Sequence, residues 1–191
     1  MLAQLLAEPG VEEVIHIAAP VGVMALHGGL ETATAEAAVA VAERAGASLY
    51  GVIQPTDLRW HVPSTLFDPA ESDQLGSFLA HVRVTVSLHG FSREGMQDTI
   101  LLGGLNRGLA QRMQTLLTAQ TELDVVADLE AIPPGLRGVH PMNPVNLCTQ
   151  RGVQVELSPG ARNPTHLSSL VAALTAAVTA EMEGPRVPTV G

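Results

Sequence analysis

The spacing of apolar and polar positions changes several times along the chain, and each change predicts an element. Apolar runs at residues 14–17 and 21–26 flank Ala-Ala-Pro, which predicts two extended segments with a break at Pro20. The alanine-rich run AEAAVAVAERAG follows Thr34, has acidic residues near its start and ends on Gly46, so it predicts a helix capped by Thr34. SLYGVI, residues 48–53, has the make-up of a short buried strand. The next stretch, through Pro55, Pro63 and Pro69, is too interrupted for regular structure, and loops of that length are usually functional.

VRVTVSL, residues 82–88, alternates with period two and runs into His89-Gly90. TILLGG predicts a strand, NRGLAQRMQTLLTA the helix after it, and DVVADL another strand. Residues 132–144 read as loop, GVQVEL as the last strand, and HLSSLVAALTAAVTAEM as a closing amphipathic helix. Strands alternating with helices predict an α/β sandwich with a mixed, largely parallel sheet, whose sites gather at the carboxyl ends of strands. The chain has 191 residues, enough for one sizeable core, so the expectation is a single domain over 1–183 and a flexible tail, GPRVPTVG, over 184–191.

Charge narrows the function classes. A net charge of −9 leaves no basic stripe for phosphates, so a nucleic-acid partner is not expected. An acidic substrate would need a local positive site, from a metal or from arginine, since lysine is absent. A single cysteine, Cys148, excludes an internal disulfide and a cysteine-rich metal site. The first residues lack the basic stretch of a secretory signal, and no apolar run approaches the roughly 20 residues that cross a bilayer. The expectation is a cytoplasmic protein away from membranes; its oligomeric state is not encoded in any motif.

The chemistry concentrates at strand ends. His27, His89 and Glu156 all fall at or near the carboxyl end of a predicted strand, and such ends converge on one crevice. Two histidines and a carboxylate can form a zinc shell with one position left to water. Gly28 and Gly29 allow a sharp turn that brings Glu31 back toward His27. Alternatively, Glu31 is only a residue favoured by the dipole of the following helix, and each histidine a satisfied strand terminus. Glu156 interrupts an apolar strand, which requires a metal, a cation or a proton; an ion pair with Arg162 or Arg151 is the alternative.

Taken in order, A-L-H-G-G-L-E (25–31) with Thr34, S-L-Y (48–50), H-x-P-S-T-x-F-D (61–68), V-S-L-H-G (86–90), L-x-G-G-L (101–105), G-L-R-G-V-H-P-M-N (135–143) and G-V-Q-V-E-L-S (152–158) resemble the poly-γ-glutamate hydrolases. The resemblance covers roughly residues 20–162. It implies a three-layer, zinc carboxypeptidase-like fold, Zn2+ held by His27, Glu31 and His89, and Glu156 as general base. Zinc would polarise the scissile amide and acidify the attacking water, whose proton Glu156 would accept and pass to the leaving amine. Arg162 would assist catalysis, and Asn143, Asn146, Arg151, His61 and Ser64 would contact a γ-glutamyl or related peptide-like substrate, with His140 a further lining residue. The alternative function is a zinc-binding or small-molecule-binding module that keeps the fold without turnover.

Overall fold

The period-two segments assemble into one seven-stranded sheet in a computed structural model that describes residues 1–183; the tail expected over 184–191 lies outside the described residues. In chain order the strands are β1 (Glu12–His16), β2 (Ala19–Gly28), β3 (Ala47–Ile53), β4 (Val84–Gly90), β5 (Thr99–Leu102), β6 (Asp124–Val126) and β7 (Gly152–Leu157). They lie in the order β1-β3-β2-β4-β7-β5-β6. The pairs β2/β3, β2/β4, β4/β7 and β5/β6 are parallel, while β1/β3 and β5/β7 are antiparallel. From β2 the chain moves outward to β3, then returns to place β4 on the other side. That reversal opens a crevice at the carboxyl ends of β2 and β4.

The two faces of the sheet are covered differently. Helices α2 (Thr34–Ala45), α4 (Arg107–Gln120) and α5 (Pro164–Glu183) cover one face, where Val23, Val86, Val153 and their neighbours bury a continuous apolar layer. The other face is covered by α1 (Leu2–Leu6), α3 (Asp73–His81) and loops. There one apolar cluster forms around Met24, Tyr50, Phe67 and Phe78, and a smaller one around Phe91, Leu101 and Ile132. Between the two clusters β4 and β7 present Thr85, Ser87, His89, Gln154 and Glu156, all buried and polar. Alternation puts them on one face, and the register sets Ser87 beside Gln154 and His89 beside Glu156. A polar furrow between two apolar clusters is therefore written into these two strands.

Several local expectations change. Pro20 lies inside β2, near its start, where the pairing with β3 slips between Ala19 and Gly22; the bulge accommodates a residue with no N–H to give. The break falls instead at residues 17–18. Helix α2 is not capped by Thr34. Its N-cap is Ala33, left-handed at φ 67°, and Thr34 is the first helical residue, its hydroxyl donating to the Glu31 carbonyl at 2.7 Å. Gly46 closes α2 in the left-handed conformation, as its position after the run predicts. Helices α1 and α3 have no counterpart in the sequence reading; α3 is nine residues long, runs through Gly76, and starts on a Ser72 cap bonded to the Leu75 N–H. The proline-rich stretch holds only two short 3-10 turns, Ser64–Leu66 and Pro69–Glu71.

Candidate metal centre

His27 comes from the end of β2, but simple alternation would point it at the helical face with Ala25. A second slip in the β2/β3 pairing, between Ala25 and Gly28, turns it instead to the face of Met24 and Leu26. There its ring meets Phe67 edge-on at 5.7 Å and packs against His61 at 4.6 Å between centroids. The chain then turns tightly. Gly29 takes φ 75°, the Glu31 N–H returns to the His27 carbonyl at 2.9 Å, and the Gln54 N–H holds the Gly28 carbonyl at 2.8 Å. No side chain fits at position 29, where a Cβ would lie 2.0 Å from the Gln54 carbonyl oxygen.

This turn delivers Glu31 to both histidines. Its Oε1 lies 3.0 Å from His27 Nδ1, and its Oε2 accepts the Gly90 N–H at 2.8 Å and lies 3.7 Å from His89 Nδ1. The two Nδ1 atoms are 3.2 Å apart. One donor atom from each of His27, Glu31 and His89 falls within 4.8 Å of the others. The far nitrogens are occupied: His27 Nε2 donates to the Val62 carbonyl at 2.8 Å, and His89 Nε2 is 2.9 Å from the Ser87 hydroxyl. A carbonyl only accepts, so neutral His27 carries its lone pair on Nδ1, facing the group.

The electrostatics favour positive charge at this point. Burial opposes ionised His27, but the hydrogen bond and charge of Glu31, with the Val62 carbonyl, outweigh it and raise its pKa. Burial likewise raises Glu31, yet His27 and His89 overcome it and hold the carboxyl below its usual value. Burial and the neighbouring His27 push His89 down to about 4. Two imidazole nitrogens and a carboxylate with their outer atoms engaged are a donor set suited to zinc. A cation would fit between the two Nδ1 atoms and the Glu31 carboxylate, whose charge it would offset.

Glu156 stands apart from the group on β7. Burial first, then the charge of Glu31, push its pKa up to about 8. Its hydrogen-bond partner is neither Arg162 nor Arg151. Gln154 Nε2 donates to Glu156 Oε1 at 2.7 Å. The four residues line a cavity of about 490 Å³ whose other walls include His61, Ser64, Thr65, His140, Asn143 and Gln154.

The remaining expected residues lie elsewhere. Asn146 spends its carboxamide on the Leu105 N–H and on the carbonyls of Gly138 and His140, so it supports the loop behind the cavity. Arg151 precedes β7 and bonds the Asn146 carbonyl, while Glu156 sits near the opposite end of that strand. Arg162 donates to the carbonyls of Leu157, Thr32 and Phe91, tying together the three segments that leave β7, the Glu31 turn and β4. No arginine lines the cavity among the described residues. Gln154, Ser87 and the Val62 carbonyl were not singled out from sequence. Two of them had a signal, since Ser87 and Gln154 each stand two residues before a site residue in an alternating strand.

The chain is thus an α/β sandwich that gathers a His-Glu-His group at the carboxyl edge of its sheet. The sequence profile of the poly-gamma-glutamate hydrolases matches residues 6–180, and the chain belongs to that family. Its fold is similar to that of a bacteriophage poly-gamma-glutamate hydrolase, with TM-score 0.74, 23% identity, and coverage of 94% of this chain and 92% of that one. It is also similar to the zinc-free form of YNDL, at TM-score 0.71 and 22% identity over 90% of both chains. A protein from Burkholderia mallei, described as a putative carboxypeptidase, shares the architecture at TM-score 0.57 and 12% identity, over 93% of this chain and 65% of that one. No curated protein sequence matches the chain. No helix among the described residues is long and apolar enough to cross a membrane.

Proposed function

We propose that this protein is a zinc-dependent amidohydrolase that cleaves γ-glutamyl linkages of poly-γ-glutamate or related peptides. The observation that carries this reading is the buried convergence of His27 Nδ1, His89 Nδ1 and the Glu31 carboxylate beside a cavity that also holds the carboxyl of Glu156. The family's name and the bacteriophage neighbour supply the substrate class.

His27, Glu31 and His89 hold the ion. When bound, zinc would supply Lewis acidity, polarising the scissile carbonyl and acidifying the attacking water. Glu156 accepts the water proton and returns it to the leaving amine. A carboxyl whose environment disfavours its charge holds that proton readily between the two steps. His61 and Ser64 contact the substrate from the proline-rich loop, and with no arginine of the described residues on the cavity walls, imidazole and hydroxyl donors receive its carboxylates. Arg162 acts by holding the carboxyl-end segments together.

The test is hydrolysis of poly-γ-glutamate, γ-glutamyl oligomers and ordinary α-peptides by the zinc-loaded protein, with elemental analysis alongside. Stoichiometric zinc, turnover of γ-linked substrates and loss of both in His89→Ala are expected. A fully folded protein that takes up no zinc sinks the proposal, and stoichiometric zinc without turnover of any amide leaves only a binding module.

A further inference from the structure

The chain Asn143–Gln154–Glu156 has a direction, and one backbone group fixes it. The Val145 N–H, which only donates, lies 3.3 Å from Asn143 Oδ1. Asn143 must therefore present its Nδ2 to the neighbour, and it does so to Gln154 Oε1 at 2.7 Å. With its oxygen used as acceptor, Gln154 can offer only Nε2 onward, 2.7 Å from Glu156 Oε1. Asn143, Gln154 and Glu156 are all buried, so bulk water does not scramble the order. Gly138 adds a steric constraint: a Cβ there would lie 2.6 Å from Gln154 Cδ and Oε1, so the loop backbone presses directly on the carboxamide. Among the described residues Glu156 Oε2 has no hydrogen-bond partner.

We propose that Asn143 and Gln154 are positioning residues: they force Glu156 Oε1 to be a permanent acceptor, so that every proton the carboxyl takes or gives travels through Oε2, the oxygen left free for the cavity. The idea rests on Glu156 being the general base of the proposed reaction, and it assigns Asn143 to that base rather than to the substrate. An unrestrained carboxylate would divide its time between rotations that do and do not face the reacting water. A donor locked to one oxygen removes that freedom in advance.

The test uses Gln154→Met, which keeps the length of the side chain and removes the donor, and Asn143→Asp, which is nearly isosteric and reverses the chain. In Asn143→Asp the Gln154 amide turns its Nε2 toward the introduced carboxylate and leaves its oxygen facing Glu156. Zinc content should stay at its wild-type value in both variants, and the melting temperature should fall by only a few degrees, the cost of one buried hydrogen bond, with the fold intact. On γ-glutamyl oligomers each should lower kcat by about 10- to 100-fold with KM changed by less than about threefold. In a Glu156→Gln background Gln154→Met should cost nothing further, because it acts only through Glu156. A raised KM with unchanged kcat would return Asn143 and Gln154 to the substrate, and an additive loss in the Glu156→Gln background would show an independent role; either overturns the proposal.

A second readout does not depend on turnover. Infrared difference spectra of the metal-free protein against Glu156→Gln report the carboxyl bands of Glu156, which should shift when Gln154→Met removes the bond to Oε1. Unshifted bands overturn the positioning claim. If instead Glu156→Gln retains wild-type kcat, the general-base reading fails, and the infrared result still decides whether Gln154 holds Glu156.

Discussion

Replacing Gly29 by alanine should damage the metal centre more than it damages the fold, and Gly46 supplies the control. Both glycines are left-handed, at φ 75° and 68°, where an alanine costs about 1–2 kcal/mol. A Cβ on Gly46 meets nothing within 4 Å, so Gly46→Ala should cost only that strain. A Cβ on Gly29 would stand 2.0 Å from the Gln54 carbonyl oxygen, whereas a close carbon–oxygen contact is about 3.3 Å, so the turn must open by roughly 1.3 Å. Opening it also strains the 2.8 Å bond from the Gln54 N–H to the Gly28 carbonyl, worth about 1 kcal/mol. The Gly29→Ala cost in urea unfolding of the metal-free protein should therefore reach about 3 kcal/mol. Glu31 rides on this turn through the 2.9 Å bond from its N–H to the His27 carbonyl, and sites tolerate only about 0.5 Å of displacement. Competition with a chelator should show zinc affinity reduced by about 10- to 100-fold in Gly29→Ala and unchanged in Gly46→Ala. Equal unfolding costs for the two variants, with wild-type zinc affinity in both, would refute the claim that the Gly29 turn holds Glu31 in place.

The pH dependence of the metal-free protein provides another check. The folded pKa of Glu156 lies above its usual 4.5, at about 8, so the folded state binds the extra proton and the stability this contributes is lost as pH rises toward 8. His89 acts oppositely below its usual 6.5, because its folded value is depressed to about 4, so its share of stability is lost as pH falls through that window. Between 6.5 and 8 Glu156→Gln should flatten the fall in urea midpoint with pH, and an unaltered slope would show that Glu156 is not the group responsible. Tyr50 donates to Glu13 Oε1 at 2.7 Å in the buried apolar cluster, and Ser72 also bonds that oxygen; Tyr50→Phe should lower unfolding free energy by about 1 kcal/mol with zinc binding intact. Arg162→Leu should lower both thermal stability and zinc affinity, because Thr32 and Phe91 lose their common anchor, whereas a pure kcat effect at full stability and affinity would assign Arg162 to the chemistry instead.

The strand pattern carried most of the site. His89 and Glu156 end alternating runs in which Ser87 and Gln154 share their face, so the polar furrow is local information, readable from residues two apart. The His-Gly-Gly-Leu-Glu turn is equally local: a left-handed glycine and a bond spanning four residues need no distant partner to bring Glu31 back to His27. Helix α2 and its Gly46 terminus follow from composition for the same reason.

What the chain pattern could not supply depends on pairing between distant segments. The orientation of His27 follows from a bulge against β3, since alternation alone would send it to the helical face. Arginine assignments failed to follow sequence proximity because Arg151 and Arg162, each within six residues of Glu156, sit at different ends of β7 and bond backbone carbonyls there. The Asn143–Gln154–Glu156 chain is likewise tertiary, since only the loop folded against β7 brings the Asn143 carboxamide to Gln154. The sequence by itself determined which residues carry donors and which strand face they share, because side-chain period and turn conformation are local properties. Only the tertiary structure decided which donors meet and which oxygen of Glu156 remains free, because register and loop packing set distances between atoms far apart in the chain.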